Sequence, residues 1–134
     1  MPLNTDINCY CGSMAPASQC CARFIYQGQV ASTAVELMRS RYSAHVYGAI
    51  DYLWQTWSTS SRHSTSPEAI HQWANRCEWL GLEILDWHKG GVSDQEGTVT
   101  FIAQYRLGQK THQHLEKSLF RREQSFWRYV DHCA

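Results

Sequence analysis

Four cysteines fall within thirteen residues of the chain, Cys9, Cys11, Cys20 and Cys21, with the spacing C-x-C-x8-C-C. Thiolate sulfur suits zinc, and four such ligands complete its tetrahedral shell. Gly12 and Ser13 allow a tight turn after the first pair, so backbone amides can face sulfur, and Pro16 stiffens the connecting loop. Four thiolates on one zinc ion make a doubly negative site, which such amides stabilise. A closed ligand set leaves no open position for water, so a zinc held here is structural or partner-binding rather than catalytic. Two other readings of the same residues are a set of unrelated reduced thiols and a redox pair at Cys20–Cys21, whose adjacency strains a disulfide. Cys77 is read as a buried helix residue and Cys133 as a terminal thiol of no assigned role.

The elements that must position any chemistry are legible in pattern. Residues 1–8 read as a tail, and residues 9–22 show no helical or strand period. Ser32 and Thr33 with Glu36 fit a capping box, and Val35, Leu37, Met38, Tyr42, Val46 and Ala49 recur at helical spacing up to Gly48 and its neighbour. A second short helix is expected over 51–57, a polar loop over 58–66, and a third helix over 67–77 with Pro67 at its first position. The period then changes to two. Strands are expected over 79–88, 98–107, 113–122 and 126–131, separated by turns. Val99, Phe101, Ala103 and Tyr105 share one face of the second strand. His114, Glu116, Ser118 and Phe120 share one face of the third, and Trp127, Tyr129 and Asp131 one face of the fourth. Helices followed by consecutive antiparallel strands predict an α+β domain with helices on one face of a curved sheet.

Composition sets the bounds. The chain has 134 residues, 43% apolar and 13% aromatic with six Trp, enough for one domain with a real core. Twelve basic residues balance twelve acidic ones. The basic surplus of a nucleic-acid binder is missing, and Arg121, Arg122 and Arg128 read as a solvated strand edge. No apolar run approaches a membrane span, and residues 1–8 do not form a signal peptide, so a cytoplasmic protein is expected. Thiols there stay reduced, which favours metal over disulfides.

The segment Cys9-Tyr10-Cys11-Gly12-Ser13 through Cys20-Cys21 resembles the SEC-C zinc motif, named from the tail of the SecA translocation ATPase. The rest resembles the YchJ family of small bacterial proteins. The matching stretches are Glu36 to Tyr42, Asp51-Tyr52-Leu53 with Thr56-Trp57, Trp79 to Glu83, Glu96 to Val99, Glu116-Lys117-Ser118 with Phe120, and Tyr129-Val130-Asp131. The resemblance implies a zinc knuckle over 1–24 and a cone-shaped nuclear-transport-factor-2-like (NTF2-like) domain over 25–134, three helices against a bent sheet. It carries the zinc role onto Cys9, Cys11, Cys20 and Cys21. The motif often has Gly, Lys and an aromatic where this chain has Met14, Ala15 and Ala17, so the ligands are kept and the basic docking surface is not.

Cone folds of this type enclose a pocket between sheet and helices. Its expected lining is Tyr42, Trp57, Phe101, Tyr105, Ser118, Phe120, Trp127 and Tyr129. If the third strand's face points inward, His114 and Glu116 form an imidazole–carboxylate pair in a partly apolar cavity, the kind used in general acid–base work. Their structural alternative is a cross-strand polar pair, or a bond from Glu116 to Arg39 or Arg41. Those two arginines sit two apart and cannot point the same way. The remaining histidines show no paired ligand spacing and are read as surface or packing residues. Three functions follow: a zinc-knuckle protein binding a small ligand or a protein partner, an isomerase- or hydrolase-type enzyme using His114 and Glu116, and a ribosome- or translocation-associated adaptor. A homodimer through the exposed sheet face is also expected.

Overall fold

The computed structural model describes residues 7–133. Helix α2 (Ala34–Tyr47) starts and stops where local chemistry demands. The Thr33 hydroxyl accepts from the Glu36 N–H at 3.1 Å, and the Glu36 carboxylate accepts from the Ser32 N–H at 2.8 Å. Gly48 ends the helix at φ 73°, a left-handed conformation open to glycine. Helix α4 (Pro67–Arg76) is capped by Ser66, whose hydroxyl accepts from the Ala69 N–H at 3.1 Å. Cys77 is buried but lies just past that helix in extended backbone, not inside it.

Two helices differ from expectation. Helix α3 (Ile50–Gln55) stops before Trp57 because the next residues join the sheet edge. The Tyr129 N–H donates to the Thr56 carbonyl at 2.8 Å and the Ser58 N–H to the Tyr129 carbonyl at 2.7 Å. These bonds displace the last helical turn and set Trp57 against Tyr129. A fourth helix, α1 (Cys21–Ile25), lies where no period was visible. Five residues carry too little pattern to read, and tertiary contact holds them helical.

Strands β1 (Glu78–Lys89), β2 (Glu96–Leu107), β3 (Lys110–Glu123) and β4 (Phe126–His132) form one antiparallel sheet in chain order. Pairing of Leu107 with Lys110 leaves a two-residue turn, so β3 begins earlier than its polar residues suggest. Register shifts after Trp79, after Ile84 and at Leu119/Phe120 bend the sheet. The last of these also overturns one expected face. It sets Asp131 opposite the outward Leu119, so Asp131 is exposed and does not share the face of Trp127 and Tyr129.

Helix α2 lies across the concave face. Leu37, Met38 and Tyr42 pack on Val99, Phe101, Phe120 and Trp127. The β1–β2 turn is pinned under the start of α2, where the Ala34 N–H donates to the Gly90 carbonyl at 2.9 Å. A Cβ on Gly97 would lie 2.4 Å from the Gly90 backbone, so only glycine fits that crossing. Two of the three arginines of the expected solvated edge are engaged: Arg122 donates to backbone carbonyls of Asp94 and Val92 and stacks over Trp127, and Arg128 donates to the Gln55 carbonyl. Among the described residues no helix is long and apolar enough to cross a membrane.

Candidate functional site

The sulfur atoms of Cys9, Cys11, Cys20 and Cys21 all lie within 4.8 Å of one another. The loop that gathers them turns back on itself: the Cys9 N–H donates to the Ala15 carbonyl at 2.8 Å, and Gly12 sits at φ 82°. A 3-10 turn over Ala17–Gln19 then delivers Cys20 and Cys21 at the start of α1. A Cβ at Gly12 would meet the Leu82 carbonyl at 3.0 Å, so the glycine lets the loop lie flat on β1. The expected boundary between residues 24 and 25 falls inside α1.

The donor set fits a soft divalent cation. A zinc–sulfur bond of about 2.3 Å implies a tetrahedral sulfur–sulfur edge of about 3.8 Å. Here Cys11–Cys20 is 3.5 Å and Cys20–Cys21 is 4.0 Å, with all six cysteines of the chain free of disulfides. Cys9, Cys11 and Cys21 are buried and Cys20 is half-buried. Polar groups converge on sulfur. Ser13 Oγ is 3.0 Å from Cys20 Sγ, Ser43 Oγ 3.5 Å from Cys9 Sγ, and Arg39 Nη1 3.8 Å from Cys11 Sγ. Arg39 Nη1 also donates to the Cys11 carbonyl at 2.9 Å. Sulfur contacts from Cys11 and Cys21 pull the Cys9 thiol far down, while contacts from Cys11 and Cys9 push Cys21 far up. The thiols therefore compete for protons, and this cluster could hold a metal ion that replaces them.

A second site lies between α2, α4 and the sheet. It is a cavity of about 330 Å³, open on one side. Helix α2 contributes Met38, Arg41, Tyr42 and His45, α4 contributes Ile70 and Trp73, and the loops add Trp57 and Thr65. The sheet contributes Trp79, then Phe101, Ala103 and Tyr105, then His114 and Glu116, and last Tyr129. Register explains the last group: Phe101 pairs with Glu116 and Ala103 with His114, so an inward β2 carries an inward β3.

Glu116 is the acceptor at the centre of a polar cluster. It accepts from His114 Nε2 at 2.8 Å, from the Tyr129 hydroxyl at 3.2 Å, and from the Ser118 hydroxyl. Burial pushes its carboxyl up, but the Ser118, His114 and Tyr129 contacts outweigh it and hold the group below the usual carboxylate range. Its expected bond to Arg39 or Arg41 is not made. Arg39 faces the cysteines and Arg41 donates to the Leu53 carbonyl at 2.9 Å and Thr56 Oγ1 at 2.7 Å.

Of the lining residues expected, the structure gathers Tyr42, Trp57, Phe101, Tyr105 and Tyr129 around the cavity together with His114 and Glu116. Ser118 and Phe120 are fully buried behind it. Trp127 lines a different, larger and more open groove with Phe24 and Tyr52, because the core fills the space between the two. Sequence reading missed Arg41 as a cavity residue, and it missed His45, Trp73 and Trp79. The signal available was their spacing: Met38, Arg41, Tyr42 and His45 share one face of a helix.

Residues 33–132 match the family described as YchJ, middle NTF2-like domain. A UPF0225 protein of Geobacter sulfurreducens is 38% identical over 125 residues, covering 92% of this chain and 76% of that protein. One from Chromobacterium violaceum is 42% identical over 125 residues, covering 91% and 89%. The solution structure of a SEC-C motif containing protein from Rhodopseudomonas palustris is similar at TM-score 0.86 and 30% identity, covering 96% of this chain and 98% of that one. The crystal structure of a SEC-C motif containing protein from Psychrobacter arcticus is similar at TM-score 0.78 and 25% identity, covering 95% and 82%.

Proposed function

The chain belongs to the YchJ (UPF0225) family, and we propose that it binds a small, largely apolar molecule in its cone while Cys9, Cys11, Cys20 and Cys21 hold a structural zinc. The observation that carries the reading is the cavity itself: about 330 Å³ left unfilled by side chains and lined by seven Phe, Tyr and Trp rings. That size and apolar lining with few polar groups suit a small-molecule site. The Ala103→Phe variant tests it. Ala103 lines the cavity from β2, so the ring fills the space with the sheet unchanged. Loss of every bound small molecule with an unaltered circular dichroism spectrum supports the reading. A variant that retains them overturns it.

Zinc bound at the cysteines would supply folding energy to a segment with almost no apolar core, on the order of 10 kcal/mol in isolated small sites. Arg39 offsets the negative charge, and Ser13 and Ser43 orient Cys20 and Cys9. Because the same segment packs on Ser43 and against Leu82, the metal would staple it onto α2 and β1. Metal analysis should find one zinc per chain, and less in Cys20→Ser. A metal-free chain whose stability ignores chelator refutes this.

One observation favours a second reading, an isomerase- or hydrolase-type enzyme. His114 Nε2 is held by an ionised Glu116, and Nδ1 has no partner among the described residues. In that reading His114 is the base and Glu116 orients it; with three donors already, Glu116 is a poor base itself. Recovery of a cavity ligand unchanged after incubation supports binding alone. Conversion that disappears in His114→Ala supports the enzyme.

A further inference from the structure

We propose that the cavity's ligand is a small planar carboxylic acid, with Arg41 holding its carboxylate and the Trp73, Trp79 and Tyr105 rings holding its flat body. The inference rests on the reading that the cavity takes a ligand. Arg41 is only 5% exposed, yet among the described residues no carboxylate lies within 4.0 Å of it, and Glu116 across the cavity offsets its charge only at longer range. Buried arginines are normally paired, because an uncompensated charge in the interior is costly. Here Nη1 alone has partners, the Leu53 carbonyl and Thr56 Oγ1, while Nε and Nη2 have none among the described residues. The guanidinium lies 4.8 Å from the Tyr129 ring centre and 5.2 Å from that of Trp57, so its plane is set before any ligand arrives. A fixed guanidinium fork with spare donors is a carboxylate receptor.

His45 adds a second polar contact. Its Nδ1 is 2.8 Å from the Arg41 carbonyl oxygen, which can only accept, so the hydrogen sits on Nδ1 and Nε2 carries a lone pair. Burial and the neighbouring Arg41 keep the ring neutral. A hydroxyl or N–H on the ligand would find its acceptor there. The flat body follows from the rings. Trp73, Trp79 and Tyr105 pack edge-on or tilted on one another at 5.5 to 6.2 Å, so they form one continuous aromatic wall of the cavity against which a flat body can lie. An organic cation is the rival occupant, since aromatic cages with a carboxylate attract one. Glu116, however, already accepts from three donors, whereas Arg41 keeps two donor nitrogens without a partner among the described residues.

Calorimetric titration of the metal-loaded full chain with 2-naphthoate, 2-naphthamide and 2-naphthylmethylammonium tests the proposal. The acid should bind at least tenfold more tightly than the amide, and Arg41→Gln should abolish that preference. Trp73→Leu should weaken acid and amide alike. Should Arg41→Gln fail to fold, the acid-to-amide ratio on the unaltered chain decides alone. Equal binding of acid and amide, or tighter binding of the ammonium, overturns the arginine anchor and leaves the ligand-binding reading standing. Binding of none of the three overturns both.

Discussion

If the four cysteines hold zinc as proposed, replacement of Arg39 by Met should loosen it without unfolding the cone. The side chain crosses from α2 to the cysteine loop, with Nη1 2.9 Å from the Cys11 carbonyl and 3.8 Å from its sulfur. Met keeps the aliphatic stem and removes the charge. Coulomb attraction between unit charges at 3.8 Å is about 4 kcal/mol at an effective dielectric of 20. Arg39 is half-buried and a metal-bound thiolate has lost part of its charge, so about 1 kcal/mol of that survives. The lost hydrogen bond to the carbonyl adds about 1 kcal/mol. Together they weaken zinc binding roughly 30-fold, inside the 10–100-fold range of outer ligand-shell changes. Competition against a chromophoric chelator reads the affinity directly. Arg39→Lys, which keeps charge but not the fork, should fall less, and its deficit should grow with salt. A Met variant that binds zinc within twofold of the original chain would mean that the guanidinium serves packing and not charge compensation.

The other expectations concern the cone. Phe120→Ala empties a fully buried position between sheet and α2, and should cost about 3–5 kcal/mol in denaturant unfolding. Gly97→Ala places a methyl 2.4 Å from the Gly90 backbone and should destabilise by more than about 2 kcal/mol, whereas Gly48→Ala, with open space but φ 73°, should cost about 1 kcal/mol. His45 titrates at about 4 because burial and Arg41 disfavour its charged form. Its folded pKa is thus below its unfolded one, so its contribution is complete above about pH 6.5 and drains away toward pH 4. Urea unfolding across that range should show a loss of at most about 3 kcal/mol that His45→Gln lacks; parallel pH profiles for the two chains would count against it.

Local chemistry determined much of this protein from sequence. Thr33, Glu36 and Gly48 bound α2, Ser66 and Pro67 start α4, and the alternation of Val99, Phe101 and Ala103 marks the buried face of β2. These features depend on neighbours a few residues away, so a linear reading finds them. The cysteine cluster was legible for the same reason: its four residues lie within one segment of thirteen residues, and spacing alone could assemble them.

Tertiary structure decided the rest. A single register shift between β3 and β4 turned Asp131 outward and left Tyr129 inward, and a period of two cannot reveal where it slips. The bond between Tyr129 and Thr56 ended α3 early and brought Trp57 to the cavity. Arg41 and His45 lie on the core face of α2, where their charge and polarity argue against burial. Only the close packing of α4 and the sheet around them makes those two residues the polar end of a cavity, because burial is a property of what surrounds a side chain and not of its type.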